Sequence, residues 1–417
     1  MVTRREFLLG GAVVGAGVLG AGVLGAGRMP ANARANGPPG RAYTAPRSID
    51  NTGATNVSAK LTNWLVSSGP PGSVLKLRRR AGYAPGVYWV PQGINFRRHD
   101  VTLDLNGCWL LTGFNSGAEF APLWPHQSDR WPRNRYTMRV SGDRIKVFSS
   151  VPNALIWGGN NNVKAGGAEP PFVAYAADRE AQHGLQLDRP NGPVEIDLTN
   201  IEIAYTFGDG IYIAGPHDVR IKGSYNDGGD PLWTPSGGAI KYGSLWAPRL
   251  PPRPGIHHVG RQGIALVDVR NCDVINVPLW SVTRSVFDLE PTGSGWTVDG
   301  VRIVNGRQGA RGNAWVAALG AGWVRNVNIR DNVSLGSITV NCVPPERRPR
   351  TNWTILRNRG LRPHRSVNSP IMRFWHTRGI QVIGNLQDRG THQGNPLRFG
   401  PGTSNITVAP DMGKQFP

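Results

Sequence analysis

Asp288 and Glu290 stand two residues apart in the segment Phe287-Asp288-Leu289-Glu290-Pro291, and on an extended chain that spacing sends both carboxylates from one face. Their α-carbons would lie ~6.6 Å apart at a rise of ~3.3 Å per residue, close enough for each charge to raise the other's pKa. One carboxyl would then keep its proton at neutral pH while the other stays ionised, the complement that acid and base catalysis requires. That separation falls nearer the range of inverting than of retaining glycosidases. The alternative is an ion-pair network in which Arg261 and Arg284 on neighbouring segments neutralise the pair.

Other residues add to this chemistry. Asp209, between Gly208 and Gly210, is a third carboxylate or a turn residue. His258, beside His257, is a further acid/base candidate, with a solvated loop histidine as its alternative. Tyr212, Arg261, Arg284, Arg373, Trp375 and Trp233 are candidates for holding a substrate, since aromatic faces stack on sugar rings and guanidiniums grip anionic groups. The three cysteines, Cys108, Cys272 and Cys342, allow at most one disulfide and suit apolar filler better than ligation. No two cysteines or histidines stand at ligand spacing except His257-His258, so neither a metal nor another cofactor is expected.

These residues are positioned by a repeat. An apolar-x-apolar pattern returns at Cys272-Asp273-Val274, Val301-Arg302-Ile303, Val327-Asn328-Ile329, Trp353-Thr354-Ile355, Ile380-Gln381-Val382 and Ile406-Thr407-Val408, about every 26 residues. An earlier alternating strand accompanies it, with inward pairs Ile211/Ile213, Ile264/Leu266, Phe287/Leu289, Ile338/Val340, Met372/Phe374 and Leu397/Phe399. Such strands are too short to hold a sheet alone and bury their inner face only against the next coil, which predicts an all-β parallel solenoid. The outward row would then read Tyr212, Ala265, Asp288, Thr339, Arg373 and Arg398. Asn276, Asn305, Asn332, Asn358 and Asn385 follow the later strand, where left-handed turns and side-chain bonds between coils are expected.

With coils of this length, asparagine turns, and Gly-Ile-x-Ile followed by Val-x-Ile, residues 48 to 412 resemble the right-handed parallel β-helix proteins of the pectin-lyase-like superfamily. Ser48-Ile49-Asp50-Asn51-Thr52-Gly53-Ala54-Thr55, the amphipathic stretch Val57 to Ser67, Gly86-Val87-Tyr88-Trp89-Val90 and Val101-Thr102-Leu103-Asp104-Leu105-Asn106-Gly107 look like the opening module of such enzymes, in which a short helix caps the first coil. The resemblance implies chemistry on polysaccharides, by hydrolases, lyases or epimerases. The chain lacks the Asn-x-Asp, Asp-Asp and Arg-x-Lys set of polygalacturonase-like hydrolases, the Asp-Pro-His motif of mannuronan epimerases, and an obvious pectate-lyase calcium cluster.

Composition suggests a compartment and a partner. Thr3-Arg4-Arg5-Glu6-Phe7-Leu8-Leu9, a Gly/Ala/Val run and Ala33-Arg34-Ala35 resemble a twin-arginine export signal ending in a processing site. The expected organisation is a signal over 1–35, a linker over 36–47, one β-helix domain over 48–412 with long loops about 114–180 and 224–260, and a tail over 413–417. Of the net charge of +20, the first 35 residues hold +3, leaving about +17. That surplus favours an acidic polysaccharide or anionic envelope, whereas nucleic acid is not expected to meet an exported chain. Three functions remain open: a glycoside hydrolase using Asp288 and Glu290, a lyase on uronate units with Arg261 or Arg284 neutralising the carboxylate, and a non-catalytic glycan-binding or envelope protein.

Overall fold

The computed structural model describes residues 40–112, 136–158, 182–188, 192–224, 239–242, 245–248, 253–282, 284–293, 295–341, 348–363, 368–387 and 395–409. They form an all-β right-handed parallel β-helix with one short α-helix. Its strands stack coil upon coil into three parallel ladders. The first runs from Ile94–Phe96 through Tyr136–Val140, His183–Asp188 and Phe287–Leu289 to Met372–Phe374 and Leu397–Phe399. A second runs from Ala42–Thr44 and Val74–Lys76 to Thr377–Ile383 and Ser404–Val408. The third contains Val87–Trp89, Trp109–Leu111, Ala154–Trp157, Ile201–Thr206, Gly255–Val259 and Leu279–Val282. Long strands such as Ile211–Lys222 and Ile264–Ile275 serve the first ladder with one end and the second with the other.

The 26-residue motif is the register itself. Cys272, Val301, Val327, Trp353, Ile380 and Ile406 stand directly beside one another on successive coils. In the earlier strand Ile211, Ile264, Phe287, Val316, Ile338, Met372 and Leu397 do the same. The sequence pattern had missed the Val316 coil, because Trp315-Val316-Ala317-Ala318 is apolar throughout and shows no alternation. Inward side chains fuse into one continuous core. Cys108 and Cys272 are buried free thiols within it, and burial pushes the Cys108 thiol up to about 12. Cys342 lies outside the described residues. The helix Ser58–Ser67 forms where the amphipathic stretch predicts it, with Leu61 and Leu65 buried in the core.

Two expected loops are corrected. Residues 114–180 hold a complete coil, Tyr136–Val140, Ile145–Phe148 and Ala154–Trp157, so Trp157 packs beside Tyr205 on a strand rather than forming a loop wall. The alternation in Tyr136-Thr137-Met138-Arg139-Val140 and Ile145-Lys146-Val147-Phe148 carries it. Between 224 and 260, Gly255–Val259 is a third-ladder strand, preceded by an antiparallel hairpin of Ala239–Tyr242 with Leu245–Pro248. Ile211 and Ile264, 53 residues apart in the chain, are therefore neighbours on adjacent coils.

The asparagines occupy two positions, one residue out of step. Asn276 and Asn305 take the left-handed turn, at φ of 56° and 52°, and are joined by an exposed 2.8 Å bond. In later coils Asp331, Arg357 and Gly384 take that place, and Asn332, Asn358 and Asn385 follow it, fully buried. Asn332 donates to Asn358 and Asn358 to Asn385, both at 2.9 Å, and each Nδ2 also reaches the carbonyl of Ile303, Ile329 or Ile355 on the preceding coil. Asn358→Ala is expected to lower unfolding free energy by about 2–4 kcal/mol, since it leaves buried partners on both sides unsatisfied. Asn276→Gly, at a half-buried position compatible with positive φ, should cost less than about 1 kcal/mol. Urea unfolding of both variants checks the contrast.

Candidate functional site

Parallel register carries one outward position of the first ladder along the molecule. Asn95, Arg139, Gln186, Tyr212, Ala265, Asp288, Ala317, Thr339, Arg373 and Arg398 stand in line, one per coil. This is the row expected from strand phase, extended at its start and with Ala317 supplied by the missed coil. Phe287 and Leu289 on either side of Asp288 belong to the core, so the aspartate faces outward.

A second column runs beside it. Gly184, Gly210 and Gly263 open successive strands of this ladder, and a Cβ on Gly210 would come within 2.7 Å of the Gly263 carbonyl, as one on Gly184 would within 2.8 Å of that of Gly210. Only glycine lets the coils approach so closely there. The residues just before them, His183, Asp209 and Gln262, are thereby stacked and buried. Asp209 Oδ1 accepts from the Gln262 backbone N–H at 3.0 Å, and its Oδ2 lies 3.4 Å from Arg261 Nη1 and 3.2 Å from His183 Nδ1. The same Nδ1 is 3.1 Å from the Asp209 backbone N: carrying no hydrogen it accepts from that N–H, and carrying one it donates to the carboxylate. The His183 ring stacks on Tyr212 at 4.5 Å and 13°. Burial and the Asp209 charge push the Tyr212 phenol up to about 12.

Gln262 links this column to the carboxylate pair, its Nε2 donating to Asp288 Oδ2 at 2.7 Å. Asp288 is only 4% exposed. Burial above all, then the charge of Glu290 and a hydrogen bond to it, hold the Asp288 carboxyl well above the usual aspartate range, with Arg261 opposing and Asp209 reinforcing the shift. Glu290, half-buried, is the more accessible of the two.

The remaining candidates are distributed unevenly. Arg261 joins Asp209 to the pair. Arg284, exposed, lies one coil on, its backbone N–H bonded to the Arg261 carbonyl at 2.9 Å. Arg373 is three coils beyond Asp288 in the row, and Trp375 is two residues along the same segment. His258 belongs to the third ladder, so its strand does not bring it into the first-ladder row; its side chain and the whole of Trp233 lie outside the described residues. His257 on that strand is buried against Trp280, with Nε2 3.0 Å from the Arg253 carbonyl. His183 and Gln262 were not singled out from sequence. Their signal is positional: each immediately precedes the glycine that opens a first-ladder strand.

No protein-family model and no curated protein matches the chain. Among solved structures it is similar to PfbA, a surface adhesin of Streptococcus pneumoniae, at 10% identity over 86% of this chain and 88% of that one, with a TM-score of 0.34. It is also similar to the Azotobacter vinelandii mannuronan C-5 epimerase AlgE4 A-module, at 11% identity over 88% and 96%, TM-score 0.33. The Dettilon tailspike protein gp208 aligns at 12% identity over 86% and 68%, TM-score 0.29. At these values the likenesses say nothing of function.

A carboxyl whose pKa is raised by folding binds more protons folded than unfolded, so its contribution to stability falls as pH climbs from the ordinary aspartate range toward the raised value. Asp288→Asn removes that loss while keeping an acceptor for Gln262. The variant's melting temperature relative to the parent should rise as pH climbs above about 4, the ordinary aspartate range; a flat or falling difference in calorimetry contradicts the assignment.

Proposed function

We propose that this chain is an exported glycan-active enzyme, and specifically a glycoside hydrolase, whose substrate lies along the outward row of the first ladder. The observation that carries the reading is the Asp288–Glu290 pair, outward on a core strand and braced by Gln262 and Arg261. In this reading the pair acts as one unit holding one proton. That proton passes to the glycosidic oxygen as the anomeric C–O bond breaks, and the anionic pair stabilises the positive charge left on the sugar. Water then adds to the anomeric carbon and its proton returns to the pair. Asp209, buried with both oxygens engaged, has a positioning role through Arg261, Gln262 and His183.

The lyase reading is less well supported. A base that abstracts the C5 proton of a uronate works best with a pKa near the operating pH, and the Tyr212 phenol at about 12 is held in the opposite direction. Pure glycan binding would leave the raised Asp288 carboxyl without use. Export rests on the twin-arginine-like segment 1–35, outside the described residues; among the described residues no helix is long and apolar enough to cross a membrane.

Asp288→Asn should lower turnover by about 10²–10⁴-fold, the usual contribution of general acid–base catalysis, with glycan affinity retained. The test follows reducing ends and unsaturated-uronate absorbance together on neutral and acidic polysaccharides. Reducing ends rising alone support the hydrolase; both rising together, or turnover indifferent to Asp288→Asn, contradict it.

A further inference from the structure

The geometry points to a second binding site, on the outer face of the second ladder, for a short peptide with both ends charged: Arg220 holds its carboxylate and Asp218 its ammonium group. The site is a cavity of about 550 Å³, within the range that small ligands occupy. Two columns created by coil register bound it. Asp218, Asn271 and Gly300 stand in line on successive coils, each at positive φ and each just before a core residue, Val219, Cys272 or Val301. Just after the core position lies the outward row Lys146, Glu195, Arg220, Asp273 and Arg302, one residue per coil. Of the two columns, all but Arg302 line the cavity.

Charges alternate along the outward row, yet Arg220 in its middle is left over. Glu195 on one side is taken by Lys146 and Lys222, at 3.1 and 2.8 Å. Asp273 on the other side gives both oxygens to Arg302, at 2.7 and 2.6 Å. Arg144, which also lines the cavity, is bonded to Asp100 at 2.7 Å. Among the described residues the exposed Arg220 forms no ion pair or hydrogen bond, so its guanidinium keeps all its N–H donors for a ligand. The turn column leaves acceptors open in the same way. Elsewhere an asparagine at a left-handed turn accepts from the next one along: Asn305 donates to Asn276 and Asn352 to Asn326, at 2.8 and 2.9 Å. Asn271 donates to Asp218 Oδ1 at 2.9 Å, but the next coil has Gly300, which carries no amide to continue the chain. A Cβ there would come within 2.9 Å of Asn271 Oδ1, so this oxygen lies where the missing side chain would stand. Asn271 Oδ1 and Asp218 Oδ2 are thus acceptors without a donor among the described residues.

The chemistry of the ligand follows from this set. A free guanidinium beside a free carboxylate oxygen suits a ligand carrying both signs of charge, whereas a simple anion would also meet Glu195, Asp218 and Asp273. No aromatic side chain is among the residues that line the cavity, so the stacking surface that sugar rings use is missing. A peptide offers a carboxylate to the fork of Arg220, an ammonium group to Asp218 and amide N–H groups to Asn271. The cavity belongs to a different ladder from the Asp288 row, and its ligand does not depend on the hydrolase reading.

The test is calorimetric titration of the full chain with trialanine, with trialanine amide and N-acetyl-trialanine each lacking one charge, and with cellotriose and inorganic phosphate as a neutral sugar and a simple anion. The parent should bind trialanine about tenfold or more tighter than either blocked form, the usual effect of one charge-assisted hydrogen bond, and the difference should shrink as salt screens the exposed charges. Arg220→Gln should lose the preference over the amide and keep the preference over the acetylated form. Asp218→Asn, a change that suits the left-handed turn, should do the reverse. The preference that each variant retains shows that it is folded. Both preferences surviving in both variants, a parent that binds no peptide, or cellotriose or phosphate bound with the same dependence on Arg220 overturns the site.

Discussion

A single coil of this chain cannot bury its own apolar side chains. Each inward Ile, Val, Leu or Phe is covered only by the equivalent residue of the coils on either side, so lateral register between coils is the constraint on which everything else depends. A slip by one residue would turn a whole strand inside out. The devices that hold register are visible on every face: the buried chain of Asn332, Asn358 and Asn385 on one corner, alternating charges such as Asp273–Arg302 and Asp331–Arg357 on the second ladder, and the glycine column Gly184, Gly210 and Gly263 at the start of the first.

The site is a by-product of that register. Because the glycines bring coils close, the residues just before them are forced into contact, and His183, Asp209 and Gln262 become a buried polar column without sequence proximity. Gln262 then reaches the next outward position, where Asp288 stands two residues from Glu290. Burial of the Asp288 carboxyl is costly in its charged form, and the neighbouring Glu290 adds to that cost. Stability given up there is recovered along the length of the solenoid by repeated in-register burial.

Much of this was legible in the sequence because strand period and coil period are both written in apolar residues. Cys272, Val301, Val327, Trp353, Ile380 and Ile406 mark the coil period, and the inward pairs Ile211/Ile213, Phe287/Leu289, Met372/Phe374 and Leu397/Phe399 of the earlier strand set the outward phase of Tyr212, Asp288, Arg373 and Arg398. What escaped notice lacked contrast. Trp315-Val316-Ala317-Ala318 hides a strand because its outward residue is alanine, and the coil Tyr136–Trp157 lies within what the sequence reads as a long loop. His183 and Gln262 are single polar residues whose meaning arises only when coils stack.

The proposed function turns on the Asp288–Glu290 pair carrying one proton at neutral pH, and infrared difference spectroscopy reads it directly. Spectra of the parent and of Asp288→Asn at neutral pH should differ by one protonated-carboxyl C=O band, present only in the parent. Glu202, whose buried carboxyl is pushed up to about 8, contributes to both spectra and cancels. If the difference spectrum shows instead the loss of an ionised carboxylate, both acids are charged in the folded chain and the account of the site is wrong.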